Sequence, residues 1–165
     1  MPSSLSPESE LPAIGFLAKV SPEHRAFLAC FGRFIRPQTD EVLIKQGDTQ
    51  ESLYMILAGT LHIITTADGR PMLLATLGEG DSFGEVNLFD PGTASASAVF
   101  RSSGVVWVLS RDELKAFLEA DPAAGVAVLQ GLLHQAASRI RHMNEKLADA
   151  EQRASFHYFW TTQAQ

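Results

Sequence analysis

The chain has 165 residues, 45% of them hydrophobic and 19% charged, which suits one soluble globular domain with a real core, or one domain plus an extension. A net charge of −6 and a pI near 5.3 argue against a general nucleic-acid-binding surface. The single cysteine, Cys30 in "AFLACFGRF", excludes an intramolecular disulfide and reads as a buried thiol in a reducing compartment.

Residues 1–12, "MPSSLSPESELP", are rich in Ser, Pro and Glu and read as a flexible N-terminal arm. They lack the basic and apolar segments of a secretory leader, and no apolar run of the chain reaches the roughly 18 residues that span a bilayer. A cytoplasmic protein with no membrane partner is expected. Residues 14–32 predict one or two short helices. Ser21-Pro22-Glu23 is a helix start, with Ser as N-cap, Pro at the first helical position and an acid in the first turn. Ala26, Phe27, Cys30 and Phe31 are expected to share its buried face.

From about residue 33 to 110 the pattern turns to short β-rich runs: "EVLIKQ", "SLYMILAG", "TLHIITT", "PMLLATLG", "ASAVF" and "GVVWVLS". Turn signals separate them, among them Asp68-Gly69 inside "TTADGRP", which predicts a hairpin. Many short antiparallel strands indicate a sandwich or barrel, so the fold class is mainly β with flanking helices. Ser110 with Glu113 forms a capping box that opens "RDELKAFLEA". Asp121-Pro122 then starts a long helix over 122–155, and the aromatic tail 156–165 contains Phe156 to Trp160. The domain therefore spans 13–121.

On the long helix Leu129, Leu133, Ala136, Ile140, Met143, Leu147, Ala150 and Ala154 alternate at spacings of four and three. That is a heptad repeat, and a small barrel has no means of burying all of it. The expected partner is the same helix of a second copy, giving a homodimer. Its alanines make the seam thin, so the barrel should contribute to the interface. The tail is a candidate to pack on the dimer or on a protein partner.

The stretch "SFGEVNLFDPGTASASAV", residues 82–99, looks like a loop built to hold a ligand phosphate. Gly84 allows close backbone approach. Glu85, Val86 and Asn87 open a short helical turn whose free N–H groups favour an anion. Pro91-Gly92 ends it. In order and motif, "GDTQESLYMILAGTLHI", "LGEGDSFGEVNLF", "VVWVLSRDELKAFLEADP" and "SRIRHMNEKL" resemble the cyclic-nucleotide-binding domain family, of the catabolite activator protein and protein kinase A regulatory subunit type. The resemblance covers about residues 14–150. It implies a jelly-roll-like β-roll (double-stranded β-helix) with N-terminal helices and a long C-terminal dimerisation helix, closed over cAMP or cGMP. The implied ligand-binding residues are Phe83, Gly84, Glu85, Val86, Asn87, Ser95, Ala96 and Ser97, with Met143 and Asn144 reaching the base from the last helix. Glu85 matches the acid that accepts a hydrogen bond from the ribose 2′-hydroxyl.

One family feature is missing. The arginine that follows the cassette falls on Ser95, or on Ala94 with a shift of one. A charge-assisted hydrogen bond contributes about 1.5–3 kcal/mol, so its loss lowers affinity roughly 10- to 150-fold. Arg101 lies too far along the strand to substitute locally, whereas Lys45 and Arg70 are candidates from elsewhere. The expectation is a regulatory module with weakened cyclic-nucleotide binding, cAMP ahead of cGMP, coupled to the C-terminal helix pair. The alternative is a ligand-free dimerisation scaffold with a degenerate pocket. No cofactor or metal is expected, because His24, His62, His134, His142 and His157 show no ligand spacing and no catalytic triad is suggested. The protein is therefore not read as an enzyme. The residues after the long helix leave no room for a helix-turn-helix, so no DNA partner is expected.

Overall fold

The computed structural model of the chain describes residues 10–162, with side chains described through residue 154. The arm predicted for residues 1–12 therefore lies largely outside the described residues, as do the side chains of the aromatic tail.

After a 3-10 turn at Gly15–Leu17 comes α1, Pro22–Ala29. The Ser21 side chain caps α1 by accepting from the His24 amide at 3.2 Å, as the sequence predicts. The buried residue of this short helix is Leu28, while Phe27 is half-buried and Ala26 and Cys30 are exposed. The expected burial of Cys30 is thus corrected. Eight residues form barely two turns, and Leu28 carries the contact with the core. Cys30 lies past the last turn at the C-cap, where its thiol donates to the Ala26 carbonyl at 3.4 Å.

Among the described residues ten strands follow: β1 Arg33–Ile35, β2 Val42–Ile44, β3 Thr49–Gln50, β4 Ser52–Ala58, β5 Leu61–Ala67, β6 Arg70–Leu77, β7 Ser82–Phe83, β8 Gly92–Thr93, β9 Ser97–Phe100 and β10 Val105–Ser110. They form two four-stranded antiparallel sheets, ordered β1-β10-β4-β7 and β2-β9-β5-β6, and a two-stranded pair β3-β8. This is the predicted β-roll. Its core draws on both large sheets through Ile56, Leu61, Phe83, Ala98, Phe100, Val106 and Val108. β10 is central and covered on both faces. That explains its unbroken apolar run, with Val106, Trp107, Val108 and Leu109 all at 0% exposure. The β5–β6 hairpin turns at Asp68 and Gly69, which have φ of 52° and 73°. Two positive φ values match the primed turn that Asp-Gly favours.

α3, Arg111–Ala120, begins with the predicted capping box between Ser110 and Glu113 and buries Leu114 and Phe117. Phe117 packs against Phe27 and Phe31, with ring centroids 5.8 and 5.5 Å apart. α4 runs Pro122–Thr162 and continues beyond residue 155, where the sequence reading placed its end. No Gly or Pro follows Gly131, so nothing local stops the helix. The described chain divides into two compact units, with the boundary between Gly131 and Leu132.

Candidate functional site

The cassette occupies the connection from β7 to β9. Phe83 is buried and its ring stacks on Tyr54 of β4, centroids 4.8 Å apart and planes 8° from parallel. Burial raises the Tyr54 phenol above its usual pKa, opposed by the nearby Arg33 charge and a hydrogen bond with Ser52. The stacked pair anchors the start of the loop. Gly84 follows in the left-handed region, φ 88°, as N-cap of α2, Glu85–Phe89. A Cβ at Gly84 would stand 2.2 Å from the Ser52 carbonyl oxygen and 2.6 Å from Gln50 Nε2. Glycine is demanded here by the chain's own β4 as well as by the turn.

Within α2, Leu88 is buried, Glu85 and Asn87 are half-buried, and Val86 and Phe89 are exposed. Asn87 Nδ2 donates to the Thr93 carbonyl at 3.5 Å, drawing the two sides of the loop together. Gln50 sits beneath it. It pairs with Gly92 across β3 and β8, is only 6% exposed, and donates to the Ser52 carbonyl. Gln50 thus touches both ends of the cassette, and sequence reading missed it. Two residues of strand carry no period, and its partners are set by pairing alone.

After β8 the chain passes to residues 94–97, where the resemblance implies an arginine and the sequence has none. Ala94 is buried and bonded through its backbone to Asp48 and Gly47 at 2.9 and 2.8 Å. Ser95 is exposed, and its carbonyl accepts from Thr65 Oγ1 at 3.4 Å. Ala96 and Ser97 are half-buried, and Ser97 Oγ accepts from the Gln46 amide at 2.9 Å. Arg101, on the far side of β9, donates to Asp40 Oδ1 at 2.5 Å, so its charge is committed elsewhere. Arg70 lies at the exposed end of the β5–β6 hairpin. Lys45 lines a cavity of about 190 Å³ with Asp48, Gln50, Glu51, Ser52 and Tyr54 among its walls.

Met143 and Asn144 belong to the second compact unit, on α4, where both are exposed. In the same unit Leu133, Ile140, Met143 and Leu147 are 59–71% exposed. Ala150 and Ala154 are exposed too, whereas Leu129 and Ala136 are half-buried. The heptad positions thus form an apolar stripe that α4 does not cover by itself. Among the described residues, no group of three or more His, Cys, Asp or Glu side chains is arranged to hold a metal ion, and no helix is long and apolar enough to cross a membrane.

A β-roll of antiparallel sheets, a glycine-capped helical turn within it and a long helix after it define the class of fold. The chain belongs to the cyclic nucleotide-binding domain family, which matches residues 35–121, slightly more than half of its length. It is 34% identical over 105 residues to the CRP-like cAMP-activated global transcriptional regulator of Mycobacterium tuberculosis, covering 63% of this chain and 45% of that protein. Among solved structures, it resembles a cyclic nucleotide-binding domain from Methylobacillus flagellatus, with a TM-score of 0.75, 28% identity, and 79% and 74% of the two chains covered. It also resembles the Thermus thermophilus catabolite activator protein, with a TM-score of 0.72, 26% identity, and 83% and 63% covered. The chain spans about half the length of the curated relatives it matches. By name these relatives are regulators and receptors, not enzymes.

Proposed function

We propose that the chain is a non-catalytic cytoplasmic regulatory module that binds a cyclic nucleotide weakly, cAMP ahead of cGMP, and couples it to pairing of α4 between two copies. The observation that carries this reading is the turn at Gly84–Asn87. It has the left-handed glycine and short helix of a phosphate cradle, while positions 94–97 supply no cation. Glu85 takes the ribose hydroxyl, and the amides of α2 with the hydroxyls of Ser95 and Ser97 face the phosphate. Phe83, Val86 and Ala96 shape the walls. The exposed stripe from Leu133 to Leu147 supports the pairing, since apolar side chains at heptad spacing gain by burial against a second helix. A ligand that touches the pairing helix shifts the population of its arrangements.

A second reading, a dimerising scaffold without ligand, is favoured by the commitments around the cradle. Ser97 Oγ already accepts from Gln46, and Arg101 is tied to Asp40. Calorimetric titration with cAMP and cGMP, repeated on Ser95→Arg, separates the two. The first reading expects weak heat in the wild type and affinity raised roughly 10- to 150-fold in the variant. Silence from both proteins at millimolar nucleotide leaves the scaffold.

A further inference from the structure

The cassette helix α2 is lightly seated. Leu88 alone of its five residues is buried, while Val86 and Phe89 are 67% and 55% exposed. So short a helix does not hold itself, because its internal hydrogen bonds are too few to offset nucleation. Its C-terminal end is fastened by a residue distant in sequence. Arg111 donates from Nε to the Leu88 carbonyl at 2.9 Å and from an Nη to the Asn87 carbonyl. Carbonyls in the last turn lack intrahelical partners, and a cation is favoured there. For Asn87 the lack is built in, because Pro91, four residues on, has no N–H to offer. The half-exposed Glu51 carboxylate lies 3.9 Å from the guanidinium without holding it, whereas the Glu51 carbonyl accepts from the Arg111 amide at 3.0 Å.

Arg111 is also the first residue of α3. Its backbone is fixed by the Ser110 cap on one side and by buried Leu114 and Phe117 on the other. We infer that Arg111 is a positioning residue that couples the cassette helix to α3, so that a ligand seated on the cassette is felt at α3. This rests on the nucleotide-binding reading above. The planar guanidinium holds two adjacent carbonyls in a fixed fork. A displacement of α2 by about 1 Å takes the Leu88 bond out of hydrogen-bond range and stretches the Asn87 bond to its limit unless α3 follows.

Hydrogen–deuterium exchange on the full chain tests the coupling, comparing wild type, Arg111→Met and Arg111→Lys with and without millimolar cAMP. Without ligand, Arg111→Met is expected to exchange amides 85–92 about tenfold faster or more, as loss of one charge-assisted bond implies. With cAMP, both proteins gain protection at 85–92, but residues 111–120 respond in the wild type alone. Lysine, which donates without the fork, recovers part of that response. Glu51→Gln, which keeps both carbonyl bonds, leaves the exchange unchanged.

An α3 response in Arg111→Met equal to wild type overturns the inference. So does unchanged ligand-free exchange at 85–92, or a Glu51→Gln pattern matching Arg111→Met. If wild type shows neither heat nor protection with cAMP, the nucleotide reading fails. The coupling to a nucleotide then falls with it, and the ligand-free arm decides whether Arg111 holds the cassette helix. Should Arg111→Met not fold, Arg111→Lys carries the same comparison.

Discussion

The central strand β10 and the outer part of α4 are both apolar, yet they end in opposite surroundings. Val106 to Leu109 of β10 are sealed at 0% exposure between neighbouring strands and the core. Leu133, Ile140, Met143 and Leu147 of α4 stand 59–71% exposed. The difference lies in the period of the pattern. A continuous apolar run suits a strand covered on both faces by its own fold. A heptad stripe on a helix of 41 residues, about 60 Å long at 1.5 Å per residue, extends beyond what a small roll covers. The first region makes the domain. The second carries the pairing proposed above.

That contrast can be broken from either side. The largest effect is expected in the helices packed beside the roll: Phe117→Ala on α3 removes a fully buried ring from the cluster with Phe27 and Phe31 and should cost about 3–5 kcal/mol in chemical denaturation. On the stripe, Ile140→Glu should leave the roll's own unfolding within about 0.5 kcal/mol. It should weaken self-association by roughly 150-fold, because a charge placed in an apolar seam costs about 3 kcal/mol. Sedimentation velocity across a concentration series measures this, and an unchanged sedimentation profile would remove α4 from the interface. Between the two regions lies the cassette. Gly84→Ala forces a Cβ against the Ser52 carbonyl at a positive φ, which should cost about 1–3 kcal/mol and raise exchange at residues 82–92. The smallest change is Ser110→Ala, which removes one cap of α3 and should cost about 1 kcal/mol, read as a lowered denaturation midpoint.

Much of this architecture was legible along the chain. The Asp68-Gly69 hairpin, the Ser21 and Ser110 caps and the six longer strands each rest on residues only a few positions apart. The cassette's outline was legible for the same reason, since Gly84, Glu85 and Pro91-Gly92 lie within one short loop. Strands β1, β3, β7 and β8 were not, because two or three residues show no alternation. Cys30 was misread because an apolar neighbourhood does not say which side of a two-turn helix meets the core. The end of α4 was set too early because an aromatic tail suggests a change of role, although no residue there breaks a helix. Gln50 and Arg111 escaped notice because neither carries a local mark. Arg111 is 23 residues from the Leu88 carbonyl it holds.

The chain of residues by itself determined the order of the elements, the heptad stripe, and a cassette without its arginine, because each depends on chemistry repeated at short spacing. Only the closed roll decided that Gln50 lies under both ends of the cassette, that Ser97 and Arg101 already have partners, and that Arg111 ties α2 to α3. Such contacts join segments whose distance depends on strand pairing and register, and those are settled by burying the whole core at once.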